Sequence, residues 1–259
     1  MTFRMMNDQL CFPEIMKFSL QGRLEKNEDF IKEGQVGNKM FFIVCDGVGG
    51  EKYGEVASRL ACEAYTSFFE ENDKLPVDEN FFREATDFVE TTFDDYLNMH
   101  PQKTGMATTV ALLFFDEDRV WSIHAGDSRI YHTREDRILF QSRDHSVINE
   151  LQDNGLISAE EAKHSNQKHV ITRAIQGKKI RLTRTTVNLL NNIRIGDYFF
   201  ICTDGVTGSI SDSQLIKILS APESNVNKTE IIKQLCEEKS HDNYSGYLIQ
   251  LKEYRSQAV

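Results

Sequence analysis

Four short acidic motifs in this chain each adjoin an apolar run, and acids placed in that way can bind divalent cations. They read NED at residues 27–29, DGVGG at 46–50, CTDG at 202–205 and DN at 242–243. A carboxylate at the rim of a hydrophobic core is costly unless an opposite charge compensates it. No matching set of lysines or arginines stands beside these acids. We therefore expect them to meet in space around divalent metal ions, which makes the chain a metalloenzyme candidate.

The DGVGG motif has the residue types of a site for a hard cation. It follows an apolar run at 39–45 and precedes a helical pattern that starts near Tyr53. Because Mg²⁺ and Mn²⁺ prefer carboxylate, carbonyl and water oxygens, Asp46 could bind through its carboxylate and Gly47 through its carbonyl. The alternative is a glycine-rich turn between a strand and a helix, since most loop glycines are structural. A P-loop is excluded, because the motif lacks the Gly-Lys-Ser/Thr ending.

The other acidic motifs are weak signals when each is taken alone. CTDG, DN and a GDSR run at 126–129, which contains Asp127, could each be an ordinary turn. As a set they are harder to explain as ordinary turns, because several strand ends would each have to place an acid beside a core strand by chance.

The composition is that of an ordinary globular protein, and it limits the partners. Of the 259 residues, 40% are hydrophobic and 27% are charged, and the net charge is −10. Nucleic acids and anionic membranes repel an acidic chain, so neither is expected as a main partner. A chain of this length can bury a sizeable core. Since it contains no repeat and no Pro/Gly/Ser-rich linker, one domain over residues 1–259 is favoured over two.

The five cysteines do not form a disulfide or zinc pattern. They are odd in number and lack Cys-x-x-Cys spacing, which argues against both kinds of site. The N-terminus lacks the basic region and long apolar stretch of a signal peptide. No run approaches the roughly 20 apolar residues of a membrane span. We therefore expect a cytoplasmic protein.

Hydrophobic periodicity predicts an α+β fold with antiparallel sheets. Short polar turns, such as the one at 116–118, join the apolar runs between 107 and 133 and imply hairpins. Strands are predicted near 15–20, 39–45, 107–115, 119–125, 129–133, 182–188, 197–202 and 244–252. Helices are predicted near 53–68, 81–96, 146–153, 158–163, 212–219 and 228–238. Asp212 and Asn227 are the predicted N-caps of the last two helices, and His145 that of the helix near 146.

The order of these motifs along the chain resembles that of the metal-dependent protein phosphatase family (PP2C, or PPM). The likeness covers about residues 15–252. Besides the acidic motifs it includes GEVAS at 54–58, GMATT at 105–109, HAGDSRIY at 124–131, RDHS at 143–146 and ITRAI at 171–175. The resemblance implies a four-layer αββα sandwich, in which two antiparallel β-sheets are flanked by helices, with a short flap subdomain at about 145–180.

The resemblance also implies a bacterial-type serine/threonine phosphatase. In this family a water or hydroxide that bridges two Mn²⁺ or Mg²⁺ ions attacks the phosphorus directly, without a covalent phosphoenzyme. Carried over to this chain, the two ions are bound by Asp46, by the carbonyl of Gly47, and by Asp204 and Asp242, which makes these acids catalytic. Glu28 and Asp29 hold metal-bound waters, and Asp127 with Asp204 forms a third, weaker metal site.

The chain departs from the family pattern at three places. The usual phosphate-binding arginine would stand at Leu24, with Arg23 one position away and Lys26 nearby. Either Arg23 binds the phosphate through a local bulge, or the phosphate-binding site is weaker. Val48 occupies the place of a histidine found in eukaryotic members. Bacterial members generally have an apolar residue there, which leaves protonation of the leaving group to water. The segment 104–109 departs from the usual Gly-Thr-Thr, and it is predicted to be structural without consequence for catalysis.

The expected partners are phosphorylated protein substrates of a serine/threonine kinase. The enzyme itself is expected to be a monomer. His164, Lys168 and His169 of the flap could touch a phosphopeptide, although such polar residues are more often a solvated face. His124 and His145 are interpreted as structural residues.

Two other functions stay open. The chain could be a non-catalytic phosphatase-like module that binds a phosphoprotein, although the intact acids at 46, 204 and 242 argue against that. It could also act on small phosphoesters or on a regulatory anti-sigma antagonist, and nothing in these residues separates that function from the first.

Overall fold

The protein folds into two antiparallel β-sheets with helices on both outer faces. The computed structural model describes residues 3–4, 10–48, 53–165, 167, 170–180 and 183–253. The strands are β1 (Phe3–Arg4), β2 (Leu10–Leu20), β3 (Asp29–Val36), β4 (Lys39–Asp46), β5 (Val110–Asp116), β6 (Arg119–Ala125), β7 (Arg129–Arg134), β8 (Arg137–Gln141), β9 (Thr186–Leu190), β10 (Tyr198–Cys202) and β11 (Tyr244–Glu253). The α-helices are α1 (Gly54–Glu71), α2 (Glu79–Met99), α3 (Val147–Asp153), α4 (Ala159–His164), α5 (Asp204–Thr207), α6 (Asp212–Ser220) and α7 (Asn225–Lys239), and a 3₁₀ turn covers Pro101–Lys103.

The strand order explains how distant parts of the chain come together. One sheet has six strands in the order β1-β2-β11-β10-β7-β8, and the other has five in the order β3-β4-β5-β6-β9. Every strand pair is antiparallel. Strands β6 and β7 follow one another in the chain but belong to different sheets, so the turn between them crosses from one sheet to the other.

Three apolar layers hold the four structural layers together. In the middle layer the rings of Phe42 and Tyr247, one from each sheet, have centroids 5.4 Å apart. Helices α1 and α2 cover the five-stranded sheet, where Phe69 of α1 lies edge-on to Phe114 at 5.0 Å. Helices α6 and α7 cover the six-stranded sheet through residues such as Leu215. The αββα sandwich is therefore confirmed.

The strands deliver the acidic motifs to one end of the sandwich. Asp29 begins β3 and is paired directly with Asp46, which ends β4. In the other sheet the last residue of β10 pairs with Gly246, near the start of β11, so the loops that carry Asp204 and Asp242 leave from the same end. The turn between β6 and β7, which carries Asp127, lies at that end too, because Arg129 pairs with Cys202.

The predicted elements differ from the observed ones at several places. The strands β1, β3 and β8 and the short helix α5 were not predicted, and charged residues interrupt the apolar alternation of β3 and β8. The strand predicted at 182–188 is observed at Thr186–Leu190, and residues 181–182 lie outside the described residues. Strand β5 begins at Val110 rather than 107.

The predicted helix caps were wrong in all three cases. Ser211, not Asp212, caps α6, and Ser224, not Asn227, caps α7. Each serine hydroxyl accepts a hydrogen bond from the backbone N–H three residues further on, which satisfies a free donor at the helix start. Ser146 does the same for α3 in place of His145. Among the described residues, no helix is both long and apolar enough to span a membrane.

Candidate metal centre

The structure brings the acids of the four motifs, together with Asp127, into one electrostatically coupled group. The pKa of Asp46 lies well above its usual range, first because the side chain is buried and then because of the charges of Asp29, Asp204, Asp127 and Asp242. Burial, followed by the charges of Asp204 and Asp242, raises the pKa of Asp29 to about 7. Burial, followed by Asp204, also raises the pKa of Asp127 to about 7. These carboxylates repel one another in a poorly solvated place.

Two threonines fix the backbone of Asp46. Its N–H donates to Thr109 Oγ1 at 3.1 Å, and its carbonyl accepts from the Thr109 N–H at 2.8 Å. The same carbonyl accepts from Thr108 Oγ1 at 2.8 Å. Both threonines are buried. The segment 104–109 was predicted to be structural without consequence for catalysis. Two of its residues, Thr108 and Thr109, nevertheless position Asp46, an acid of the candidate centre.

Close backbone packing brings Gly47 onto the start of α1. The N–H of Gly47 donates to the carbonyl of Glu28 at 3.1 Å. A Cβ atom on Gly47 would lie 2.4 Å from the carbonyl carbon of Gly54, and one on Gly54 would lie 2.9 Å from Glu28 Oε2. At position 47 the clash is with backbone, so only glycine fits, whereas a Cβ at position 54 would have to displace the Glu28 carboxylate. The motif glycines at 49 and 50 lie outside the described residues.

Thr203 links the acids of the two sheets. Its hydroxyl donates to Asp29 Oδ2 at 2.9 Å, across the gap between the six-stranded and the five-stranded sheet. Thr203 Oγ1 also accepts a hydrogen bond from the N–H of Ser245 at 3.0 Å, which orients the hydroxyl proton towards the Asp29 carboxylate. Thr203 is fully buried. The residue directly before Asp204 therefore holds an acid of the opposite sheet.

Asn243 makes a second link between the sheets. Its Oδ1 accepts from the N–H of Glu28 at 2.8 Å, and its Nδ2 donates to the carbonyls of Gln21 and Lys26 at 2.7 and 2.8 Å. A Cβ on Gly205 would lie 2.0 Å from the Asn243 carbonyl oxygen, so the CTDG and DN loops are in tight contact. The sequence motifs contained Thr203 and Asn243, but their bonds join non-local strands and could not be read from spacing.

Another buried acid in the same protein shows what full compensation looks like. Asp197 stands just before β10, whereas Asp204 follows its end, and it is fully buried. Burial would raise its pKa, but hydrogen bonds from Arg134 and His132 outweigh that effect and lower it. The Asp197 carboxylate lies 2.6 Å from Arg134 Nε and 2.8 Å from His132 Nε2. At the other end of the sandwich the net effect of the surroundings is the opposite, since the pKa values of Asp46, Asp29 and Asp127 are raised, which fits a centre completed by metal ions.

The donor set also fits a hard divalent cation. Asp29 Oδ1 is buried and has no hydrogen-bond partner among the described residues. The pKa of Glu28 is raised by burial first and then by the charges of Glu55 and Asp242, while Lys26 opposes the shift. Carboxylates, a backbone carbonyl and water are the ligands that Mg²⁺ and Mn²⁺ prefer. Within the described ranges, no three His, Cys, Asp or Glu side chains already form a ready-made ligand group, so the carbonyl of Gly47 and waters would have to contribute.

Arg23 has a protein partner in this structure. Its guanidinium donates to the carbonyl of Glu238 at 2.9 Å, near the C-terminal end of α7, where helix carbonyls attract cations. The phosphate-binding role predicted for Arg23 stays a prediction, and it would require this bond to be exchanged for one to substrate.

The segment predicted to be the flap contains α3 and α4 and adjoins a polar cavity. The cavity measures about 330 Å³, and its walls include His124, His145, Arg143 and Arg173. Both histidines are buried, as expected for structural residues. Lys168 and His169, predicted as possible peptide contacts, lie outside the described residues, as does the side chain of His164.

Comparisons with known proteins agree with the fold and the motif order. Residues 22–238 match the family model described as Protein phosphatase 2C. Protein phosphatase PhpP of Streptococcus pneumoniae is 29% identical over 88% of this chain and 92% of its own length. Serine/threonine protein phosphatase PstP of Mycobacterium tuberculosis is 27% identical over 88% of this chain. This chain spans only 43% of that relative's length.

A solved structure adds a direct view of metal in a similar protein. The catalytic domain of serine/threonine protein phosphatase PstP, solved in complex with two manganese ions, superposes with a TM-score of 0.77 at 26% identity. The match covers 94% of this chain and all of that one. A protein with the same layer order thus carries manganese.

Proposed function

This chain belongs to the protein phosphatase 2C family, and from that membership we propose that it hydrolyses phosphoserine and phosphothreonine in proteins with two bound Mn²⁺ or Mg²⁺ ions. The observation that carries the proposal is the group of mutually repelling acids where the two sheets meet, in which Asp29 is buried and Asp46, Asp127 and Asp204 are half-buried. A PstP structure with two manganese ions supports the choice of metal. The chemistry needs no further cofactor.

Each acid has a proposed part in the centre. Asp46 and the Gly47 carbonyl, with Asp204 and Asp242, would hold the two ions. Asp127 would hold a third, weaker one together with Asp204, and Glu28 and Asp29 would hold metal-bound water. When bound, such ions lower the pKa of the attacking water and neutralise charge on the transferred phosphoryl group.

The chain's own side chains argue for attack by water rather than by a protein nucleophile. Cys45 and Cys202, the cysteines nearest to the acids in sequence, are fully buried. Burial is the main reason that the pKa of each thiol lies well above its usual range, so both stay neutral and unreactive. Val48 offers no proton to the leaving oxygen, which leaves that step to solvent.

The proposal is tested by metal-dependent hydrolysis of p-nitrophenyl phosphate and of a phosphothreonine peptide. We expect hydrolysis of both with Mn²⁺, none after treatment with EDTA, and full recovery when excess Mn²⁺ is returned. If the protein stays inactive at saturating Mn²⁺ but still binds the phosphopeptide, it is the non-catalytic binding module instead. Rapid turnover of small phosphoesters without turnover of any phosphopeptide would favour the small-molecule alternative.

The finer parts of the proposal concern the cellular setting. We propose a monomeric enzyme that forms one catalytic domain over residues 1–259, with the flap at about 145–180. It would work in the cytoplasm and reverse the action of a serine/threonine kinase. The relatives named as serine/threonine phosphatases support the substrate class.

Arg23→Ala is expected to raise the KM for p-nitrophenyl phosphate about fivefold at unchanged kcat. A bond to a charged phosphate contributes more than a neutral one, but Arg23 must first give up the Glu238 carbonyl, so only about 1 kcal/mol should remain. Steady-state kinetics at saturating Mn²⁺ measure this. Lys26→Ala is the matched comparison, because Lys26 is the cation that acts on Glu28. If only the Lys26 variant raises KM, the phosphate contact belongs to Lys26.

A further inference from the structure

We propose that His145 is a positioning residue of the metal centre, which ties the turn that carries Asp127 to the base of the flap. The inference rests on the proposed function only in taking Asp127 as a metal-binding acid. His145 is the first residue of the flap and directly precedes Ser146, the N-cap of α3. It lies far from Asp127 in the sequence but next to its turn in space.

One residue holds both backbone groups of Gly126, the neighbour of Asp127. The N–H of Gly126 donates to His145 Nδ1 at 3.3 Å, and its carbonyl accepts from the N–H of His145 at 2.9 Å. Gly126 has a φ of +100°, a conformation that favours glycine. The direction in which the Asp127 side chain leaves the turn therefore depends on His145.

The imidazole of His145 is itself fixed on its other sides. Since Nδ1 accepts from Gly126, the ring proton belongs on Nε2, which donates to Thr186 Oγ1 at 2.9 Å. The ring also stacks on His124, with centroids 4.5 Å apart and planes 6° apart. Burial, and then the charge of His124, lower the pKa of His145 to about 3. The ring thus stays neutral and keeps this tautomer at physiological pH.

The turn is held from the core side by Thr109. Its hydroxyl lies 2.6 Å from Ser128 Oγ, and its Cγ2 lies 2.6 Å from where a Cβ of Gly126 would stand. Thr109 also holds the backbone of Asp46. Thr109 therefore fixes the position of the turn that carries Asp127 relative to the backbone of Asp46.

His145 makes the corresponding link on the flap side. Its carbonyl accepts from the N–H of Thr172 at 2.8 Å, and Ser146 forms a β-bridge with Ile171. Any shift of the flap base is therefore passed through His145 to Gly126 and Asp127. This gives the flap a direct mechanical connection to the third metal site.

The test compares two substitutions of His145 in a Mn²⁺ titration of the full chain followed by electron paramagnetic resonance. His145→Phe keeps a stacking ring but cannot accept from Gly126, and we expect it to weaken the weakest Mn²⁺ site about tenfold. His145→Asn can still accept through Oδ1, and we expect it to stay within about threefold of the wild type. Asp127→Asn should lose that site, and adding His145→Phe to it should change nothing further.

Thermal unfolding of the metal-free variants checks that each is folded. If His145→Phe does not fold, Thr186→Val takes its place in the titration, because it removes the partner of Nε2 and should weaken the same site about threefold. The inference is overturned if His145→Phe or its substitute titrates like the wild type, if His145→Asn is as impaired as His145→Phe, or if the wild type has no third Mn²⁺ site. Normal Mn²⁺ binding without any hydrolysis would count against the proposed function alone.

Discussion

Asp46→Asn is expected to lower kcat/KM at least about a thousandfold for both p-nitrophenyl phosphate and a phosphothreonine peptide. Asp46 lies at the centre of the acid group, since four other carboxylates raise its pKa. An amide keeps the shape but removes the charge that would hold two ions. A thousandfold loss corresponds to about 4 kcal/mol of transition-state stabilisation, which is in the range expected when a metal is lost. Asp204→Asn should behave in the same way.

The matched control is Asp136→Asn, on the turn between β7 and β8. Its carboxylate is 78% exposed and makes a loose contact with Arg137 at 3.8 Å, so activity and Mn²⁺ binding should both be unchanged. If Asp46→Asn keeps more than a tenth of wild-type activity at saturating Mn²⁺, Asp46 is not the shared ligand. The proposed division of roles among the acids would then be wrong.

The metal-free protein is expected to become more stable as the pH falls from about 8 to 5. The folded-state pKa values of Asp29 and Asp127 are raised to about 7, from the ordinary aspartate value of 3.8. Between these values the folded state binds more protons than the unfolded state, so stability falls as the pH rises. Each pKa unit corresponds to about 1.4 kcal/mol. The two pKa units between 7 and 5 correspond to about 3 kcal/mol for one fully contributing carboxyl, which would raise Tm by roughly 10 °C.

Bound Mn²⁺ should reverse this trend, because the ions favour the ionised carboxylates. Thermal unfolding in EDTA and in Mn²⁺ between pH 5 and 8 measures both slopes, and the stabilisation by Mn²⁺ should be largest at pH 8. The range stops at pH 5 because Asp197 has a lowered pKa, so its contribution to the stability of the folded state is lost in more acidic solution. A Tm in EDTA that falls steadily from pH 8 to pH 5 would show that the acids are not crowded in the metal-free protein.

The acids themselves could be predicted from sequence, but the bonds that hold them could not. A carboxylate next to an apolar run is a local signal, and Asp46, Asp204 and Asp242 all lie in that context. Thr203 and Asn243 act on residues far away in the chain, on Asp29 and on the backbone of Glu28. Those partners are set by the packing of one sheet on the other, which no spacing rule contains.

The errors in the elements have equally local causes. Strand β3 contains Lys32, Glu33 and Gly34 in its interior, and these residues hide the alternation that marks a strand. Glu33 is nonetheless stabilised there, because its carboxylate accepts from Lys17 Nζ at 2.5 Å and from the hydroxyl of Tyr247. Only the neighbouring strands make this segment favourable as a strand.

The acids come from both sheets, Asp29 and Asp46 from one and Asp204 and Asp242 from the other. The two sheets face each other through the middle apolar layer, where side chains such as Phe115 and Phe199 interlock at 5.3 Å. A slide of one sheet over the other by a fraction of an ångström would change the spacing across the centre before it broke any strand. Bound ions would then cross-link the two sheets. A substitution in the remote middle layer would change the spacing of the proposed metal ligands without contacting them.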